Sequence, residues 1–430
     1  MKKITLICCY SFLLSITTVA VAKAAEEPSK ETTASINAPS QDNEILAGTS
    51  TPAAQPKKIN IRVLLQEEDT SKRIPLVIKS PHGFIVESIV DPTKKARWSE
   101  KELHLTTENN NLLLLKNGQY KRIKANDLCI TPANGVAQID TKSYQGMLNI
   151  RIDATSKMLQ IINKIDLDDY IYSVLRFESL SHWPHEMHKV QAIASRTYAI
   201  YQIRQARGKN QPQSFYDIKN NNFHQVYNGV HTSTHLRKAV DETKNLILTY
   251  NGYIALTMFD ICCGGVIPGY MKRKDLDKPY LFRTNKCTYC KGKTPYEWQK
   301  SIHKQNFWDL LVAHPRLTKK VTGLGRILGI GIKEKDKAGI VHKVVINGSR
   351  KNVSITRNEL RSALTPTMLK SDSFTIRKHL NGIELRGLGF GHHTGLCQIG
   401  ARELVARGWS HTAILDFYFP KTKLSRIKAL

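Results

Sequence analysis

The chain has 430 residues, with 64 Lys and Arg against 36 Asp and Glu, so its formal net charge is +28. A surplus of that size calls for an acidic or polyanionic partner. The obvious candidate, nucleic acid, is excluded by the first segment of the chain, which reads as an export signal.

That segment is "MKKITLICCYSFLLSITTVAVAKA". Two lysines, an apolar run of about fifteen residues and the tripeptide Ala22-Lys23-Ala24 make the three parts of a signal peptide over residues 1–24. The run falls short of the roughly 20 residues a stable membrane span needs, so any membrane association through it is transient. Large Leu6 and Ile7 precede Cys8 and Cys9, which argues against a lipoprotein site. The mature chain is expected to start near Ala25, in the periplasm or cell envelope. Anionic envelope polymers or lipid headgroups then suit its charge.

Residues 25–56 are rich in Ala, Ser, Thr and Pro and poor in aromatics. They cannot bury enough surface to fold and are expected to be a flexible linker. From 57 to 165 short apolar runs such as "INIRVLL", "IPLVIKS" and "NLLLLKN" alternate with turn signals, which predicts a β-rich N-terminal region. The acids Asp166, Asp168 and Asp169 read as a solvated run. After Trp183-Pro184 the period changes: Met187, Val190, Ala194, Thr197 and Tyr201 recur at steps of three and four. This predicts a helix with Ser181 as cap, Pro184 in its first turn and Gly208 at its end. A second helix is expected at about 235–244, strands at "LILTYNG" and "IALTMFD", and a strand-rich insertion at about 321–385 with a short helix near 358–364. Two short helices follow, with Gly408 ending the first, Ser410 capping the second and Pro420 stopping it. The fold class is α+β, with the catalytic region expected over 166–430.

Three groups of residues carry candidate chemistry. In "SVLRFESLSHWP", Glu178 stands among Leu175, Phe177, Leu180 and Trp183. A carboxyl in apolar surroundings is desolvated, holds its proton towards neutral pH and can protonate a leaving oxygen. The competing reading is a helix-start glutamate paired with Arg176 or Lys189. In "RGLGFGHHTGLCQIGA", alternate glycines bring the backbone close to a partner or ligand. There Cys397 reads as a nucleophile with His392 or His393 as base, or as a buried thiol in a tight turn. Finally, "DICCGG" and "NKCTYC" place Cys263, Cys287 and Cys290 where they suit zinc, with Cys262 or a histidine such as His224 as fourth ligand. One or two disulfides are the alternative for an exported chain.

The stretch "YIYSVLRFESLSHWPHEMHKVQAIASRTYAIYQ", followed in order by "HQVYNGV", "AVDETKNLILTYNGYI", "CGG", "KPYL", "CTYC" and "GFGHHTGLCQIGA", resembles the SpoIID/LytB family. The matches run from about residue 58 to the end. This resemblance implies a lytic transglycosylase of peptidoglycan with Glu178 as its acid/base. It also places Gln191, Arg196, Tyr198, His392 and Gln398 at the substrate. Here "Glu-Ser-Leu" replaces the family's usual "Glu-Met-Pro", and "IKNNNFHQVY" offers His224 without the cysteine some relatives use for zinc. Such an enzyme needs one carboxylate, because the 6-hydroxyl of the muramic sugar displaces the leaving group and no water is used. No cofactor is needed for that chemistry. The implied partners are glycan strands of peptidoglycan and an amidase acting upstream. The alternative is a non-catalytic, peptidoglycan-binding amidase enhancer.

Overall fold

Alternation of apolar and polar residues builds the first part of the chain into strands. In Asn60–Asp69, Ile61 and Val63 are buried while Asn60 and residues 66–69 face water. This strand runs antiparallel to Met158–Asp166, with the register slipping at a bulge between Leu64 and Gln66. The computed structural model describes residues 58–427, apart from 88–92, 209–213, 222–223 and 274–275. The expected signal peptide and linker lie outside the described residues.

Two sheets occupy this part. A seven-stranded sheet has the order Ile218–Lys219, Asn60–Asp69, Met158–Asp166, Met147–Ile152, Asp127–Pro132, Phe84–Glu87, Lys95–Trp98. A six-stranded sheet runs Lys142–Gln145, Val136–Ile139, Leu76–Lys79, Glu102–Glu108, Asn111–Lys116, Gln119–Arg122. Their inward residues share one core, which includes Ile61, Ile78, Phe84, Leu105 and Ile150.

Among the described residues there are eight α-helices: α1 Leu167–Glu178, α2 His185–Arg207, α3 Thr234–Glu242, α4 Lys304–Ala313, α5 Pro315–Val321, α6 Arg357–Met368, α7 Gln398–Ala406 and α8 His411–Tyr418. The mixture is α+β, as the patterns imply. Helix α1 was not foreseen. Its N-cap is Asp166, whose side chain accepts from the Asp168 N–H, and Asp168 and Asp169 fill its first turn. The acidic run is therefore a helix start, where carboxylates meet the positive end of the helix dipole.

Helix α2 starts after Pro184 rather than at a Ser181 cap and runs to Gly208. Sequence periodicity implied one buried face, yet thirteen of its residues are buried. The reason is that α2 lies between two cores. Ala192, Ala199, Ile200 and Ile203 join the first, while Met187, Val190, Ile193 and Ala194 join a second with Leu248, Leu404, Ile414 and the buried cysteines. Small alanines let both sides approach closely.

Arg196 ties this arrangement together and is only 1% exposed. Its Nε donates to Asp168 Oδ1 at 3.0 Å, its Nη1 to the Thr243 carbonyl at 2.8 Å and its Nη2 to the Val240 carbonyl at 3.2 Å. The start of α1, the middle of α2 and the end of α3 are thus joined by one guanidinium, whose planar fork suits several acceptors at once.

A third core draws on Trp298, Phe307, Leu311, Leu317, Val344, Leu360, Phe374 and Leu385. It reaches back past the strand-rich segment read from sequence and takes in α4 and α5. Two three-stranded sheets cover it. No described helix is long and apolar enough to cross a membrane.

Candidate active site

Glu178 is the last residue of α1, not the start of a helix. The chain turns there because the Ser179 hydroxyl returns to the Leu175 carbonyl at 2.8 Å and residues 179–184 cross to α2. Glu178 does not pair with Lys189, whose ammonium lies 2.8 Å from Glu242 instead. Its Oε1 accepts the Val226 backbone N–H at 3.0 Å. Burial pushes the carboxyl up from 4.5 to about 7, and the Val226 hydrogen bond opposes that shift only in part. The negative end of the α1 dipole acts in the same direction as burial. The half-buried group therefore exchanges a proton near neutral pH.

The surroundings of Glu178 come from three segments. Tyr170 and Tyr198 stand close enough for its charge to help hold their phenols protonated, although burial is the larger cause for each. The Tyr170 hydroxyl donates to Gln225 Oε1 at 3.1 Å. Tyr198 lies 3.3 Å from His224 Nδ1, and burial together with the Lys219 charge lowers His224. From the C-terminal side, Gln398 Nε2 donates to the Glu178 carbonyl at 2.6 Å and to Gln191 Oε1 at 3.3 Å. Gln191 is fully buried and Gln398 is 3% exposed. They hold the end of α1 from inside the protein, where a substrate does not reach them. Arg196, expected at the substrate, is likewise occupied by its internal anchors. Tyr198 is the member of that set beside the carboxyl.

The glycine-rich loop forms a second cluster. Gly391 has φ +136, and a Cβ there would lie 2.8 Å from Asp260 Oδ2, so only glycine fits. The His393 N–H donates to that carboxyl at 2.7 Å, and its Nδ1 donates to the Cys263 carbonyl at 2.9 Å. His392 Nδ1 accepts the Thr394 N–H at 3.1 Å. Desolvation pushes His392 down to about 4, so the ring is neutral at pH 7 with its proton on Nε2. Burial pushes Asp260 well above the usual carboxylate range. From the third core, Arg361 reaches in to the Gly391 carbonyl at 3.2 Å and to Asp372 Oδ1 at 3.2 Å, which fixes the loop from behind.

Four buried thiols, those of Cys263, Cys287, Cys290 and Cys397, lie within 4.8 Å of one another, close enough to hold a metal ion. The clustered thiols differ from the expected set: Cys397 joins the three, Cys262 is not among them, and His224 stands beside Tyr198. Cys397 does not face a histidine base. Its sulfur accepts the N–H groups of Cys263 at 3.2 Å and Gly400 at 3.3 Å, and burial and the neighbouring thiols push it well up. A nucleophilic thiol would need the opposite shift.

Sequence reasoning missed the Val226 N–H, Tyr170, Gln225 and Asp260. The first three lie inside motifs already singled out, but a backbone donor leaves no residue signature. Asp260 is marked only by its place two residues before the paired cysteines.

The fold is α+β, with Glu178 at the end of α1 and a glycine-histidine loop between the strands and α7. The family described as stage II sporulation protein matches residues 155–250, and a domain of unknown function matches 221–395. An uncharacterised protein of Brachyspira hyodysenteriae is 33% identical over 260 residues, covering 60% of this chain and 66% of its own length. The amidase enhancer of Bacillus subtilis is 25% identical over 342 residues, with 70% of this chain and 47% of that protein covered. Stage II sporulation protein D of the same organism is 25% identical over 285 residues, covering 63% and 77%. The chain thus spans about two thirds of the first of these relatives and about half of the second. Residues 155–250 match the SpoIID family, and the chain is similar to members of it.

Proposed function

We propose that this chain is an exported lytic transglycosylase acting on peptidoglycan in cell-wall remodelling or division. The observation that carries this reading is Glu178 at the end of α1, its carboxyl taking the Val226 N–H and held by burial up to about 7. As an acid it protonates the glycosidic oxygen between MurNAc and GlcNAc while that bond breaks. As a carboxylate it then accepts the proton of the muramic 6-hydroxyl as that oxygen closes on the anomeric carbon. A 1,6-anhydro end forms, and the glutamate is left protonated for the next cycle. A hydrolase would need a second carboxylate to activate water, whereas this route uses the substrate's own nucleophile.

Tyr198 and the neutral His392, with its Nε2–H free to donate, are the side chains suited to sugar hydroxyls. The net charge of +28 suits an anionic wall polymer and a place in the periplasm or cell envelope. The substrate in this reading is glycan strands already stripped of stem peptides by an amidase. The thiol group is read as a structural zinc centre without a share in the proton transfers.

The similarity to an amidase enhancer favours a second reading, in which the chain binds peptidoglycan and stimulates an amidase without cutting glycan. Digestion of purified, amidase-treated peptidoglycan decides between the two. Anhydro-MurNAc products by mass spectrometry are expected from the wild-type protein and absent with Glu178→Gln. Binding without anhydro products from the wild type would leave the enhancer reading.

A further inference from the structure

We propose that Cys263, Cys287, Cys290 and Cys397 bind one zinc-class divalent cation as a tetrathiolate, and that this ion sets the position of Gln398 and, through it, the end of α1. The thiols are free. Cys263 Sγ lies 3.6 Å from Cys290 Sγ, and Cys287 Sγ lies 4.0 Å from it. A tetrahedron with zinc–sulfur bonds of about 2.3 Å puts its sulfurs about 3.8 Å apart. The observed separations fall on either side of that value, while a disulfide needs about 2.05 Å.

The surroundings fit a negatively charged centre. A divalent ion with four thiolates carries two net negative charges. The N–H groups of Cys263 and Gly400 point at the Cys397 sulfur, and the Tyr418 hydroxyl lies 3.2 Å from Cys287 Sγ. Donors of this kind orient metal-bound thiolates. Gly400 lies so close that a Cβ there would sit 2.7 Å from Cys287 Sγ and 3.3 Å from Cys397 Sγ.

Arg283 supplies an independent observation. It is 3% exposed, and its Nε and Nη2 have no hydrogen-bond partner. The guanidinium lies 5.5 Å from the ring of Tyr418, the residue that touches Cys287. A buried cation with open donors, near Tyr418 and within reach of Asp260, is further compensated when the thiols that Tyr418 touches are ionised on a metal.

The link to Glu178 runs through one residue. Cys397 is the N-cap of α7. Gln398, the next residue, bonds the Glu178 carbonyl and Gln191. An ion on Cys397 fixes the first turn of α7 and so the amide that satisfies an otherwise open carbonyl at the end of α1. The consequence for catalysis rests on the role proposed for Glu178, but the ion and the positional link do not.

The test uses the exported chain purified without chelator. One equivalent of zinc by elemental analysis is expected, and cobalt exchanged into the protein should show the intense visible bands of a tetrahedral thiolate site. Cys397→Ser should lose the metal and Cys262→Ser should keep it. If Cys397→Ser does not fold, the cobalt spectrum of the wild type still reports the ligands. Folded wild-type protein without metal, or with its four thiols joined in disulfides by mass, overturns the site. Metal lost from Cys262→Ser but kept by Cys397→Ser overturns the ligand set. Stripping the metal should raise amide exchange at the first turn of α7 and at Ser179. A rise confined to residues 263–290 overturns the link. These readouts are independent of glycan cleavage, so an inactive protein that binds zinc counts against the enzyme reading and leaves the metal site standing.

Discussion

Replacing Glu178 by Gln is expected to stabilise the protein at alkaline pH and leave its stability unchanged in acid. In the unfolded chain this carboxyl ionises near 4.5; in the fold it is held up to about 7. Below the lower value it is neutral in both states, and burial costs nothing through ionisation. As pH rises between the two values, the unfolded chain gains a carboxylate that the fold resists, so stability falls. Above the higher value the loss is complete. The span from 4.5 to about 7, at about 1.36 kcal/mol per tenfold, gives about 3 kcal/mol. Water reaching the half-buried group reduces this to about 2–3 kcal/mol. Glutamine keeps the shape, accepts the same Val226 N–H and cannot ionise. Urea unfolding of both proteins at about pH 4 and about pH 8 tests this linkage. Coincident curves in acid and a higher midpoint for the variant at the alkaline pH are expected. An equal gap at both pH values, or a variant less stable than wild type in alkali, would refute the idea that desolvation sets this group's proton affinity.

Catalytic efficiency should fall as pH rises through about 7, because the protonated form of Glu178 is the one that begins the reaction; a flat profile to about pH 9 would contradict that assignment. Glu178→Gln should lower turnover by about 10²–10⁴-fold, read from anhydro-sugar release. Arg196→Met should cost about 3–5 kcal/mol in urea unfolding, because it leaves Asp168 and several buried carbonyls without their donor, whereas a surface arginine would cost almost nothing. Retention on sacculi should weaken as salt rises, since exposed charges are screened beyond about 8–10 Å; salt-insensitive pelleting would point to sugar contacts instead.

How much of this was legible depended on whether the signal was local. Glu178 stood out because its apolar neighbours adjoin it in sequence, although the groups the fold sets beside it are Tyr170, Tyr198 and the Val226 N–H. The tail helices were readable from Gly408, Ser410 and Pro420, whose preferences act within one turn. Helix α1 was hidden because three acids look solvated until Asp166 is recognised as a cap. Arg196 looked available to a ligand, since charge on a helix usually faces water, and only the convergence of α1 and α3 shows where it goes. The thiol group was half visible: Cys287-x-x-Cys290 is a local pattern, while Cys397 lies 134 residues from Cys263 and no spacing announces their meeting.

That separation constrains the order in which the molecule is built. Cys263 precedes the whole third core, from Trp298 to Leu385, and Cys397 follows it. The strand Leu246–Tyr250 waits longer still, because its partner Lys423–Arg426 comes after α8. Closure of a loop this long is slow compared with local pairing. The sheets between 58 and 166 can thus form first, with the Gln398 contact at the end of α1 made late. A glycan-cutting chain assembled in that order would stay inert until α7 has closed on the end of α1.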